Sequence, residues 1–142
     1  MAPTQPVPQG NYVPANRDNN LIHTAGMTPR HQGKLIMTGR VSTARPLNDY
    51  REAVELAATN AITAAKGLLQ SNEQLKQVIA MTVYVAAEEG FTAHSKLADF
   101  ASNLLAAELG EAGISSRAAV GVYSLPGNAP VEISILASVQ AV

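Results

Sequence analysis

Apolar positions recur along this chain with two different periods, and stretches of the two periods alternate. A period of 3.6, typical of helices with one buried face, covers residues 48–69 and 92–109. A period of two, typical of half-buried strands, covers residues 21–25, 34–38, 77–86, 117–123 and 131–139. The pattern therefore predicts the element order β-β-α-β-α-β-β.

Helices placed between strands predict a mixed sheet with both helices on one face, because right-handed crossovers bring them to the same side. In the strand over residues 77–86 both faces are largely apolar. Alternation places two sets of side chains on opposite faces. One face carries Ile79, Met81, Val83 and Val85, and the other carries Ala80, Thr82, Tyr84 and Ala86. We expect the helices to cover one face and a partner subunit to cover the other.

The length fits a single domain, which the element order makes α+β, and the composition excludes several kinds of site. The 142 residues are enough to bury a core. The 10 basic and 11 acidic residues form no basic block, so we expect no nucleic-acid partner. The lack of cysteine excludes disulfides, thiolate metal sites and cysteine nucleophiles. The three histidines show no metal-ligand spacing.

Residues 1–19 are predicted to form an arm that precedes a single domain over residues 20–142. Prolines at positions 3, 6, 8 and 14 remove backbone donors and disfavour a helix or a central strand. Tyr12 either anchors this arm by packing or closes one side of a pocket. No apolar run is long enough to span a bilayer, and the N-terminus lacks a signal-peptide pattern. We expect a cytoplasmic protein with no membrane partner.

The last two predicted strands each carry one full charge, at or near the first residue: Arg117 and Glu132. Such a charge is either a solvated strand end or a binding group held on a rigid element, and for Arg117 a salt bridge between subunits is a further alternative. Direct pairing of the two strands as a hairpin would separate the residues by about 17 Å. Either another strand lies between them, or one site takes them from different subunits.

The residues of this region resemble the signature of the RidA family, also called YjgF or endoribonuclease L-PSP. The signature reads Arg-x-x-Val-x-Val-x-x-Leu-Pro and then Val-Glu-Ile, and here it covers residues 117–126 and 131–133. Two earlier segments resemble the family's opening segment and first strand: Pro-Gln-Gly-Asn-Tyr-Val-Pro-Ala at 8–15 and Asn-Leu-Ile-His-Thr-Ala-Gly at 20–26. The resemblance covers residues from about 8 to 139, nearly the whole chain.

The resemblance implies a chorismate-mutase-like fold, a homotrimer with clefts between subunits, and a small substrate that carries a carboxylate. It implies hydrolysis of reactive enamines or imines, such as 2-aminoacrylate, to a 2-keto acid and ammonia. Arg117 would bind the carboxylate, Glu132 would position the attacking water, and Tyr12, Ala25 and Gly26 would line the pocket. No cofactor is required, because the carbon of an imine is already electrophilic.

Two positions depart from the family's pattern. Thr24-Ala25-Gly26 stands where family members read Thr-Ser-Gly, so one pocket hydroxyl is absent, while Gly26 keeps its backbone N–H. The family's pocket asparagine on the second helix has no counterpart that we can place.

Three functions stay open at this point. They are a cofactor-independent enamine/imine deaminase, a non-catalytic small-molecule binder or regulator that uses the same cleft, and an endoribonuclease. The endoribonuclease has the least support, because the sequence shows no histidine pair, metal cluster or basic patch.

Overall fold

The computed structural model describes residues 3–142. Its strands and helices follow in chain order: β1 (Ala15–Asp18), β2 (Leu21–Thr24), β3 (Arg30–His31), β4 (Lys34–Leu35), α1 (Arg51–Lys66), β5 (Glu73–Ala86), α2 (His94–Leu109), β6 (Ser116–Val122) and β7 (Val131–Ala141). Short 3-10 turns lie at Leu47–Tyr50, Gly110–Gly113 and Pro126–Asn128. Neither helix in this part of the chain is long and apolar enough to cross a membrane.

The main sheet has the strand order β1-β2-β7-β5-β6. β5 pairs antiparallel with β7 and parallel with β6, and α2 makes the crossover between the two parallel strands. A strand therefore lies between β6 and β7, which is one of the two arrangements that the sequence left open. Both helices pack on one face of this sheet, so the mixed α+β architecture is confirmed.

The core lies between the sheet and the two helices. Ile22, Val83 and Ile133 are fully buried there. The buried stripe of α1 is mostly alanine, and small side chains let the helix axis lie close to the strands. The alternation predicted for β7 is present, with Val131, Ile133, Ile135, Ala137 and Val139 buried and the residues between them more exposed. Glu132 consequently points to the face opposite the helices.

Two bulges in β5 change the face of Ile79. The register between β5 and β7 shifts between Leu75 and Gln77 and again between Val78 and Ala80. Val78 is fully buried, whereas Ile79 is 39% exposed. The prediction that Ile79 shares a face with Met81 is wrong, because the bulge inserts one residue and reverses the alternation on its N-terminal side.

The N-terminal half differs from the sequence-based prediction in two places. β1 lies within the range predicted as the arm: the last proline there is Pro14, so the following four residues keep the N–H groups with which β1 pairs to β2 as an edge strand. The strand predicted over residues 34–38 is shortened to β4, which pairs with β3 across a turn at Gln32 and Gly33, both with positive φ. The first two residues of the arm lie outside the described residues.

A bidentate ion pair joins β1 to the start of β5. Arg17 donates from Nη1 and Nη2 to the two carboxylate oxygens of Glu73, over 2.6 and 2.7 Å. The backbone N–H of Gln70 donates to the same carboxylate over 2.8 Å. The hydrogen bonds from Arg17, followed by the one from Gln70, lower the pKa of Glu73 from 4.5 to about 2.

We expect this depressed pKa to shape acid unfolding. The stability that the Glu73 carboxylate contributes is fully present above pH 4.5 and is lost as the pH falls towards about 2, because the unfolded chain takes up the proton first. Glu73→Gln should flatten the stability profile over this interval, measured by urea unfolding at a series of pH values. Glu52→Gln, at an exposed position of α1, is the control. An unchanged profile in the Glu73 variant would contradict the expectation.

Candidate functional site

The ladder between β2 and β7 is interrupted immediately after β2. Its last pair joins His23 to Leu136, and pairing resumes at Met27 and Ile133, which exchange two backbone hydrogen bonds of 2.7 and 2.8 Å. Thr24 is buried, and its Oγ1 accepts the N–H of Ile135 over 3.0 Å in place of a backbone carbonyl. One extra residue therefore lies on the β2 side, which makes residues 25–26 a β-bulge.

The bulge exposes one backbone donor. Ala25 donates its N–H to the carbonyl of Pro14 over 2.8 Å, and Met27 donates to Ile133. Within residues 3–142, the N–H of Gly26, between these two, has no acceptor. An anion or a carbonyl oxygen is the kind of ligand group that such a donor binds.

Glu132 lies directly against Gly26. A Cβ built on Gly26 would collide with the carboxylate of Glu132, with the Cγ of that side chain only 2.9 Å away. Glu132 is half-buried, and this desolvation raises the pKa of its carboxyl above the ordinary value. The bulge thus places a free N–H donor beside a carboxylate that is a stronger base than an exposed one.

Tyr12 lines two cavities next to Ala25 and Gly26. Its hydroxyl accepts the backbone N–H of Gln9 over 3.0 Å, which fixes the ring on the arm. A cavity of about 50 Å³ lies between Tyr12, Gly26 and the arm, and an open cleft of about 440 Å³ is lined by Tyr12, His23 and Ala25. The chain therefore brings together four of the five residues that the sequence singles out: Tyr12, Ala25, Gly26 and Glu132.

Arg117, the fifth residue, lies elsewhere in the same chain. It pairs across the sheet with Met81, on the helix-covered face, whereas Glu132 pairs with Tyr84 on the opposite face. Two strand spacings and three residues separate their backbones, about 14 Å. One copy of the chain therefore does not bring Arg117 and Glu132 to the same small ligand.

The guanidinium of Arg117 is held by α2. Nη1 donates to Asp99 Oδ1 over 2.8 Å and to Ser102 Oγ over 2.9 Å, and Nη2 donates to the carbonyl and the hydroxyl oxygens of Ser95 over 3.1 and 2.8 Å. The salt bridge between Arg117 and Asp99 lies within one copy of the chain. These contacts fix β6, an edge strand, to the helix above it.

Two features of the site were missed at the sequence level, although each has a signal. Asn60 is 7% exposed and donates from Nδ2 to the carbonyls of Thr28 and Arg30, which ties the loop after Gly26 to α1. Its signal is an amide within an otherwise alanine-rich buried stripe. The three α2 residues that hold Arg117 stand at positions 95, 99 and 102, the i, i+4, i+7 spacing of one helix face.

Nothing in the described part of the chain forms a metal site, since residues 3–142 contain no group of three or more histidine, aspartate or glutamate side chains close enough to hold an ion.

Residues 2–139 match the sequence family described as endoribonuclease L-PSP. The chain belongs to this family. Among solved structures, the chain is similar to Atu1372 from Agrobacterium tumefaciens, described as of unknown function: identity is 36%, the TM-score is 0.83, and 95% of this chain and 87% of that one are covered. Protein TCP17 of Trypanosoma cruzi is 29% identical over 135 residues, which cover 94% of this chain and 84% of TCP17.

A more distant member of the L-PSP fold has been solved with an amino acid. E. coli TdcF with bound serine is 20% identical, with a TM-score of 0.67 and coverage of 97% of this chain and 95% of that one. At this identity the similarity establishes the shared fold.

The contact between Gly26 and Glu132 predicts that position 26 tolerates no side chain. In Gly26→Ala the added methyl would push the Glu132 carboxylate out of its place and cover the free N–H. We expect kcat/KM for the reaction proposed below to fall by about 30- to 100-fold, since the Glu132 carboxylate is displaced but still present and the donor is only partly covered. Gly10→Ala is the control, because its methyl would meet only the Tyr12 ring at 3.4 Å. Equal activity of the two variants would contradict this role of Gly26.

Proposed function

We propose that this protein hydrolyses enamine and imine derivatives of small 2-amino acids, such as 2-aminoacrylate, to the 2-keto acid and ammonia. Support comes chiefly from the contact at the bulge, where the half-buried Glu132 carboxylate lies against Gly26 and its free N–H. The Glu132 carboxylate is suited to activating a water molecule, and the Gly26 N–H is suited to binding a carboxylate or carbonyl oxygen of the substrate.

The reaction divides into two parts. The enamine first becomes the imine, as its terminal carbon gains a proton and its nitrogen loses one. Water then adds to the imine carbon: Glu132 takes a proton from the water, and the nitrogen gains one. The carbinolamine collapses when Glu132 returns its proton to the amine and the hydroxyl gives a proton to solvent, in place of the one that the nitrogen took up, so that ammonia leaves. Protons balance over the cycle, and Glu132 ends ionised as it began.

The raised pKa of Glu132 favours this role. Desolvation makes the carboxylate a better proton acceptor than an exposed glutamate, and the same low-dielectric surroundings strengthen its contact with a polarised water. Tyr12 lines both neighbouring cavities, which supports a role in closing the cleft over a bound ligand.

Arg117 supplies the carboxylate contact from a second copy of the chain. Within one copy it lies on the other face of the sheet from Glu132, about 14 Å away by backbone spacing. The open face of the sheet carries partly exposed apolar residues, among them Ile79 and Val120, each 39% exposed. We propose a cyclic homotrimer that buries this face and brings Arg117 of one copy to Glu132 of the next.

Mixing two inactive variants tests the shared site. Arg117→Ala and Glu132→Gln each remove one half of every site when alone. In a cyclic trimer that contains both variants, one of the three interfaces joins an intact Arg117 to an intact Glu132, so refolding them together in equal amounts should restore about a quarter of the wild-type sites. Light scattering should give three times 14.9 kDa. A monomer, or no recovery on mixing, would contradict the shared site.

The activity itself is tested with 2-aminoacrylate generated in solution by a serine dehydratase. The wild-type protein should shorten the lifetime of the intermediate and increase the rate of pyruvate appearance. Bovine serum albumin at equal concentration controls for catalysis by protein surfaces. An unchanged lifetime would contradict the proposed reaction.

Two observations favour the second candidate, a binder of small carboxylates without catalysis. Ala25 leaves the cleft without the hydroxyl of the family's pattern, and Arg117 already has an internal carboxylate partner in Asp99. Binding of pyruvate that depends on Arg117, with no effect on 2-aminoacrylate, would support this regulatory function. A cytoplasmic location stays a prediction, which cell fractionation would test.

A further inference from the structure

The terminal nitrogens of Arg117 have no free N–H group. Nη1 donates to Asp99 and Ser102, and Nη2 donates twice to Ser95, all over distances of 2.8–3.1 Å. A carboxylate binds a guanidinium through two parallel N–H groups, and every such pair includes at least one terminal nitrogen. A ligand carboxylate that binds Arg117 must therefore displace one of its present acceptors.

Asp99 is the acceptor that can leave most easily. Its side chain is 58% exposed, whereas that of Arg117 is 18% exposed, so the carboxylate can turn into water at little cost. Ser95 and Ser102 are neutral and do not compete with an anion for the charge of Arg117, so they can keep their hydrogen bonds and tie the guanidinium to α2 after Asp99 has left. Exchange of Asp99 for a ligand carboxylate keeps Arg117 paired with one anion in both states.

We propose that Asp99 is an internal carboxylate that competes with the ligand for Arg117 and thereby sets the affinity of the site for small organic acids. The inference rests on the proposed function, because it assumes that Arg117 binds the ligand carboxylate. Asp99 holds the cation in place when the site is empty and competes for it again when the 2-keto acid has formed. Asp99 is in these terms a positioning residue that promotes product release at the expense of substrate affinity.

The exchange predicts a particular kinetic signature. Asp99 is displaced before the substrate is bound, so its competition acts equally on the ground state and the transition state. Removal of its charge should therefore act on KM rather than on kcat. A purely structural link between α2 and β6 would behave differently, because a loosened Arg117 raises KM and lowers kcat.

Pyruvate, titrated calorimetrically into the full-length protein, is the direct probe. Asp99→Asn keeps the size of the side chain and removes its charge, and we expect the Kd for pyruvate to fall by about two- to fivefold, the range of one partly exposed ion pair. The KM for 2-aminoacrylate should fall by the same factor. Asp49→Asn is the matched control, since it removes an equal charge from the exposed pair with Arg45. It should leave the Kd unchanged.

Ser102→Ala distinguishes competition for Arg117 from anchoring of Arg117 to α2. Ser102 and Asp99 accept hydrogen bonds from the same nitrogen of Arg117, yet we expect the two variants to change the Kd in opposite directions. Loss of the neutral anchor should weaken pyruvate binding, whereas loss of the competing charge should strengthen it. Thermal melts of both variants show whether either change reflects unfolding.

Pyruvate binding by these variants distinguishes failure of the proposed competition from failure of the proposed function. Unchanged or weaker pyruvate binding by Asp99→Asn, with binding abolished in Arg117→Ala, would overturn the competition and leave the proposed function intact. Equal binding by the wild type and Arg117→Ala would overturn the role of Arg117 in the proposed function, and the competition would fall with it.

Discussion

Replacing Arg117 by alanine should lower kcat/KM for 2-aminoacrylate by about 100-fold or more, because two charge-assisted hydrogen bonds to the substrate carboxylate are lost. The loss should appear in both KM and kcat, since the carboxylate orients the imine carbon towards the water as well as binding it. Arg117→Lys keeps the charge but not the paired N–H groups, so we expect an intermediate value.

The control for this variant must account for stability, because Arg117 also fixes β6 to α2 through four hydrogen bonds. Arg17→Ala removes another hydrogen-bonded arginine, at the far side of the sheet, which is paired with Glu73. It should lower the melting temperature while kcat/KM stays near the wild-type value. Comparable activity in Arg117→Ala and Arg17→Ala, both assayed below their melting temperatures, would contradict the role of Arg117 in the reaction.

Glu132→Gln should lower kcat by about 100- to 1,000-fold, the usual contribution of one positioned proton acceptor. The amide keeps the shape of the side chain against Gly26 but takes no proton from water. Pyruvate binding should change little, because Arg117, rather than Glu132, binds the carboxylate of pyruvate. Glu89→Gln, at an exposed loop position, is the matched control and should be fully active.

The pH dependence of the two proteins distinguishes this role from a structural one. The wild-type rate should rise with pH through the raised pKa of Glu132, because the ionised carboxylate is the active form. In Glu132→Gln this rise should be absent. A raised pKa also means that the ionised group costs stability once the pH exceeds the ordinary value for glutamate, so the variant should be at least as stable as the wild type at neutral pH. A rise with the same midpoint in both proteins would assign the titration to another group.

Periodicity in the sequence was sufficient to predict the architecture. The alanine-rich stripe of α1 and the alternation of β7 each have a strong period, and both elements are present near their predicted positions. The bulges of β5 were not predicted, because Gln77, Val78 and Ile79 fit an extended strand in either register. Pairing with β7 decides whether Val78 or Ile79 is buried, and the local sequence pattern carries no information about this pairing.

The candidate site was predicted only in part, because its geometry, like the bulges of β5, depends on pairing with a distant strand. Gly26 and Glu132 were singled out from the family resemblance, but the bulge that brings them into contact depends on the register between strands more than a hundred residues apart in sequence. Arg117 was identified as a carboxylate-binding group without its contacts on α2. Those contacts follow from the parallel pairing of β5 with β6, which places the start of β6 under that helix.

The extra residue at the end of β2 also limits how this site can change through insertion and deletion. A chain that lacked Ala25 would restore an uninterrupted ladder from His23 to Met27, with every backbone group in regular register. In such a chain Thr24 and Met27 would stay in the core, and Gly26 would take the place of Ala25 and donate its amide to the carbonyl of Pro14. Shortening by a single codon at this position would therefore produce a well-folded relative with no anion donor beside Glu132.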